Sequence, residues 1–252
     1  VKDKIQAMTG TYWQATRAHR YSLLFALPLL IFYQVLTVVV PAGPGGVDVR
    51  NGADILLQAV FVWLAGAWGP RVFILCLIGV GSWLIAKDIR AHPGKLSLAV
   101  LGGMLVEALF LSLVFGIVVS GLTVALLGAP PPPMALGVAQ QHLGRGTLLM
   151  LSIGAGLYEE LLFRVVLVGL IAWTAHKLLG WRPLIAGIVA TLLGALIFSA
   201  FHYIGPFGDR LDIYSFVFRT IAGLFFSALY LTRGFGITAW THALYDVLLL
   251  LR

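Results

Sequence analysis

Charge is scarce in this chain. Asp, Glu, Lys and Arg make up 11% of its 252 residues, under half of the roughly 25% usual in soluble domains. That shortage excludes a separate soluble domain and leaves one polytopic membrane domain. Cysteine is almost missing. Cys76 stands alone, which excludes an internal disulfide and any Cys-rich zinc site, and it reads as a small apolar residue in a span. Acidic residues number 10 against 17 Lys and Arg. The excess of +7 sits in short loops, as in chains that orient themselves in a bilayer, so nucleic acid is not an expected partner. Internal repeats are not apparent. No cleavable signal peptide is evident, since the basic arm 1–21 leads into an apolar run long enough to span.

Hydrophobic residues, 60% of the chain, come in long runs instead. A bilayer core of roughly 30 Å takes about 20 helical residues. Residues 22–40 form a first span, closed by Pro and Gly at 41–46. Residues 53–86 are too long for one straight span and break at Gly69-Pro70-Arg71. The expected arrangement is an interfacial or half-buried helix over 54–68 and a crossing over 72–86, with two full crossings as the competing reading. Spans follow at 96–127, ended by prolines 130–133, and at 147–175, 183–203, 213–232 and 236–251. The expected fold is all-α, a polytopic transmembrane bundle of seven to eight helices. It divides into a basic arm (1–21), amino-terminal helices with a proline-rich loop (22–146) and a core (147–252). Oligomeric state is left open.

With one crossing in 53–86, Lys2, Lys4, Arg17, Arg20, Lys87, Arg90, Lys95, Lys177, Arg182 and Arg233 share a side. Arg50, Arg145, Arg210 and Arg252 take the other. The richer side is expected to be cytoplasmic.

Against this background, Tyr158-Glu159-Glu160-Leu161-Leu162-Phe163-Arg164 is anomalous. Carboxylates and an arginine deep in a span mark a functional site by default. Glu160 and Arg164 are i,i+4 and form an expected ion pair, while Glu159 turns about 100° away as the free carboxylate. Two later spans add His202 and His242, with Asp246 one turn after His242. The set suits peptide hydrolysis, which needs an activated water, a proton donor for the amine and donors for the oxyanion. Glu107, mid-span in 96–127, lines the cavity or pairs with Arg164 on this reading.

Three motifs resemble the CPBP family of intramembrane proteases, which contains the CAAX prenyl endopeptidases and the bacterial Abi proteins. They are Glu159-Glu160-x-x-x-Arg164, Phe198-x-x-x-His202 and His242-x-x-x-Asp246, on three spans in the family's order. The resemblance covers residues 147–252. It implies that Glu159 polarises the water with His202 as partner, and that His242 and the residue at 246 stabilise the oxyanion. Asp246, if ionised, repels an oxyanion, so a protonated form or an orienting role for His242 stays open. Glu160, Arg164 and Phe198 are supporting residues. No cofactor is expected; the alternative is zinc on His202 and His242 with a carboxylate.

The bland readings are a structural clamp for Glu160 and Arg164, and core histidines for His202 and His242. Function classes kept open are a proton-coupled transporter, for which inverted repeats are missing, and a non-catalytic immunity or scaffold protein. The expected partners are the lipid bilayer and a membrane-anchored protein or peptide, cut near its anchor. The expected place is a bacterial inner membrane, amino terminus cytoplasmic, site toward the extracytoplasmic side.

Overall fold

The structure is a computed structural model and describes residues 12–40, 49–128, 143–205 and 208–251. The loop at 41–46, the prolines at 130–133, His142, Lys2, Lys4 and Arg252 lie outside them. The fold is all-α. In chain order the helices are α1 (His19–Val39), α2 (Gly52–Ala65), α3 (Gly69–Ala91), α4 (Leu98–Leu127), α5 (Arg145–Gly154), α6 (Gly169–Lys177), α7 (Pro183–Phe201), α8 (Ile213–Arg233) and α9 (Phe235–Leu250). Two wide π turns, Ala155–Glu159 and Leu161–Val168, join α5 to α6.

The chain is an integral membrane protein. Five described stretches are long and apolar enough to cross a bilayer: His19–Val39, Gly52–Ala91, Leu98–Leu127, Pro183–Phe201 and Ile213–Arg233. Their outer faces are apolar and uncovered, with Val38 85%, Leu98 82% and Ile117 76% exposed. In a soluble protein such surface drives association; here lipid is its solvent.

The stretch Gly52–Ala91 is two helices. Phe61 and Phe73 meet at 5.3 Å, where a straight helix would hold residues twelve apart at about 18 Å. The break comes earlier than the Gly69-Pro70-Arg71 signal. Gly66 takes φ 55°, a left-handed conformation that ends α2, and a 3-10 turn spans Gly66–Trp68. Pro70 instead opens α3, where its missing N–H costs nothing.

Contacts at the helix ends give the directions. Arg20, starting α1, donates from Nη1 to the His92 carbonyl at 2.6 Å and lies 3.4 Å from Asp88 at the end of α3. So α1 leaves one side and α3 returns to it. The 14 residues of α2, about 21 Å at 1.5 Å each, therefore make no net crossing. On that same side the Ser97 N–H donates to Tyr21 Oη (2.9 Å) before α4, and the Gly236 N–H donates to Ser22 Oγ (2.8 Å) in α9.

Arg233 and Glu107 depart from expectation. Arg233, at the end of α8, is buried. It donates from Nε to Glu107 Oε1 at 2.5 Å and from Nη2 to Oε2 at 2.6 Å. Tyr12 donates to the same carboxylate (2.7 Å), and the guanidinium lies 3.7 Å over the Trp13 ring. Glu107 thus neither pairs with Arg164 nor lines the motif cavity, and Arg233 is no free loop charge. Each is polar at depth because the other satisfies it. Spacing within α4 could not show a partner 126 residues away.

Candidate active site

Glu159 and Glu160 adjoin in sequence but serve different partners. Glu160 is fully buried, and Arg164 Nε lies 3.1 Å from its Oε2. The guanidinium is held between rings, 4.4 Å from the Phe198 centroid and 5.5 Å from that of Phe226, and Nη2 donates to the Gly223 carbonyl at 3.4 Å. Carboxylate, carbonyl and π faces together make the buried cation tolerable. Glu160 Oε1 accepts from His242 Nδ1 at 2.7 Å. The imidazole stacks on Phe226 at 4.4 Å. Nδ1 carries a proton, assigned from its acceptor, and Nε2 is turned to Asp246 Oδ2 at 3.7 Å. Glu160 is therefore the closer of two carboxylates beside His242, with Asp246 the second. The i,i+4 spacing of His242 and Asp246 suggested their pairing, but the closer contact is between helices.

The path of α9 makes this possible. A Cβ on Gly156 would lie 2.4 Å from the Ala239 carbonyl oxygen and 2.6 Å from Ala243 Cβ. Gly156 therefore lets α9 pass against the backbone, as small residues do between membrane helices. The same place carries the first π turn. Such turns are frequent at functional sites because they re-aim side chains. A regular α-helix over 147–175 was expected, and the π turns replace its middle.

His202 caps the end of α7, one residue beyond Phe201. Its Nδ1 donates to the Phe198 carbonyl at 2.8 Å. That leaves Nε2 toward Glu159 Oε2, at 3.8 Å. Phe198 thus contributes a carbonyl to His202 and a ring to Arg164. Glu159 Oε1 accepts from Asn51 Nδ2 at 2.9 Å. Asn51 was not singled out from the sequence. Its only signal was a capping residue before an acidic first turn, which says nothing of a contact 108 residues on.

These groups surround one cavity of about 360 Å³, lined by Glu159, His202, His242, Asp246 and Asn51 among others. Glu160 and Arg164 stay behind its wall. Toward the end where α7 stops and α8 starts, Arg219 and Asp209 also line it and form an ion pair. Among the described residues no three His, Cys, Asp or Glu side chains converge as a metal-ligand set. The Nδ1 atoms of both histidines are engaged by Phe198 and Glu160, which leaves Nε2 of each beside Glu159 or Asp246. The arrangement offers a carboxylate oxygen beside an imidazole nitrogen, and a second imidazole backed by an ion pair.

Residues 142–248 match the model of a family described as Type II CAAX prenyl endopeptidase Rce1-like. No curated protein and no solved structure matches the chain. The matched stretch contains Glu159, Glu160, Arg164, Phe198, His202, His242 and Asp246, and it leaves out Asn51. Over residues 142–248 the chain is therefore similar to a family of CAAX-type membrane proteases.

Proposed function

We propose that the protein is a metal-free intramembrane endopeptidase whose base is Glu159. The observation that carries this reading is the 3.8 Å between Glu159 Oε2 and His202 Nε2 on the wall of the cavity. One water reaches both at about 2.8 Å. Glu159 takes a proton from that water, and the hydroxide oxygen bonds to the scissile carbonyl carbon. The C=O π pair moves to oxygen, and the oxyanion accepts from His242 Nε2 of the imidazolium, which Glu160 holds from behind. His202 relays the proton from Glu159 to the leaving nitrogen. The C–N bond breaks, giving a carboxylic acid and an amine. Donors positioned before the charge develops are the largest contribution such a site makes.

Independence from metal tests this mechanism. Cleavage of a membrane-anchored reporter by purified enzyme is expected to survive complete exchange into strong chelator. Stoichiometric zinc, with activity lost on its removal and restored on its return, would overturn the glutamate mechanism.

The proposed substrate is a membrane-anchored protein or peptide cut near its anchor on the extracytoplasmic face of a bacterial inner membrane. Charge supports that sidedness. Among the described residues, Arg17, Arg20, Lys87, Arg90, Lys95, Lys177 and Arg182 lie on the side where α1 begins. Arg50, Arg71, Arg145 and Arg210 lie opposite. The cavity residues Gly208 and Asp209 belong to this second side. In a Cys76→Ala background, Arg210→Cys is expected to react with an impermeant maleimide in intact cells, and Lys95→Cys only after permeabilisation. The reverse pattern would invert the orientation.

A further inference from the structure

Asn51 stands at the threshold of α2, outside the stretch that carries the motifs, and its amide cannot rotate freely. Oδ1 accepts the backbone N–H groups of Ala53 (2.9 Å) and Asp54 (3.4 Å), the bonding pattern of a helix N-cap. Only an oxygen can accept two N–H donors, so the amide is assigned with Nδ2 facing Glu159. The backbone around it is anchored too. The Asn51 N–H donates to Tyr33 Oη (3.2 Å), and Tyr33 donates to Asp54 Oδ2 (2.9 Å). Asp54 is fully buried and also accepts from Gln58 Nε2 at 2.5 Å. Tyr33 in turn packs edge-on against Tyr158, next to Glu159 (4.9 Å between centroids).

Glu159 Oε1 is therefore held by a donor that is itself held. Oε2 is buried and has no hydrogen-bond partner among the described residues, and it is the oxygen facing His202. The terminal torsion of a glutamate is broad and roughly two-fold. Without a donor on Oε1, the carboxylate has no hydrogen bond among the described residues to keep one oxygen toward the histidine.

We infer that Asn51 is a positioning residue for the base. By holding Glu159 Oε1 it keeps Oε2 aimed at the water shared with His202. The inference rests on the role proposed for Glu159 and adds a residue from the amino-terminal half to the working site.

Asn51→Ser is the test, because serine caps a helix about as well as asparagine but its hydroxyl is too short to serve cap and carboxylate together. The probe is a membrane-anchored protein that the wild type cleaves and Glu159→Gln does not. The expected result is a kcat roughly 10–100-fold lower, the size of effect a small misplacement of a reacting group produces. KM and the melting temperature should stay unchanged. Asn51→Thr, a second capping residue, should behave alike. Wild-type kcat in both variants would overturn the inference while leaving the Glu159 reading intact. A fall in kcat that follows a fall in melting temperature would assign Asn51 to the fold alone and overturn it as well. A Glu159→Gln enzyme that still cuts would instead remove the reading on which it rests.

Discussion

Glu159→Gln is expected to abolish cleavage, with a loss of about 10²–10⁴-fold or more, while the protein stays folded. The loss is that of a positioned general base. The substitution is nearly isosteric, and glutamine retains an oxygen that can accept from Asn51 Nδ2, the 2.9 Å contact of the native carboxylate. What disappears is the capacity to take a proton from water at the 3.8 Å gap to His202. No buried charge is stranded, because the ion pair behind the cavity belongs to Glu160 and Arg164. Comparing membrane-protein termini in cells expressing wild type and variant should reveal fragments that only the wild type makes. Melting in detergent should be the same for both. Full processing by the glutamine variant would remove Glu159 from the chemistry.

Arg164→Ala is expected to act on the fold instead, costing roughly 3–5 kcal/mol, the usual penalty for removing one partner of a buried ion pair. Alanine would leave Glu160 charged and fully buried, with His242 as its remaining polar partner among the contacts described. It would also empty the space between the Phe198 and Phe226 rings. Expression and melting temperature should fall, and activity with them, since Glu160, which accepts from His242, would lose its own anchor. Arg164→Lys should recover little, because an ammonium provides neither the planar fork nor the stacking surface. Adding Glu160→Gln to Arg164→Ala should restore part of the stability but not the activity, and a double-mutant cycle separates the two. Unchanged melting of Arg164→Ala would mean that the pair is not a clamp.

The sidechain spacing within one helix was readable where both partners sit on one helix. Glu160 and Arg164 are such a pair. The charges were conspicuous because each lies in an otherwise apolar run, so Glu159, His202, His242 and Asp246 stood out before any fold was known. Spacing was incomplete where a closer partner came from another helix. His242 and Asp246 share a face, yet Glu160, 82 residues away, takes Nδ1 at 2.7 Å. Glu107 looked like a cavity residue and proved to be bound to Arg233.

The sequence by itself determined that this is an all-helical membrane protein, where most of its crossings lie, and which ionisable residues need an explanation. Hydropathy and the expense of charge in hydrocarbon are properties of each segment alone, so they survive without knowledge of its neighbours. The tertiary structure alone decided that π turns replace the middle of the glutamate helix, that Glu160 lies closer to His242 than Asp246 does, and that Asn51 reaches Glu159. These depend on the close passage of α9 over Gly156 and on the placement of α2 beside Tyr33 and Tyr158. Hydrogen bonds between distant helices form only where packing brings donor and acceptor within about 3 Å, and a one-dimensional pattern does not encode that distance.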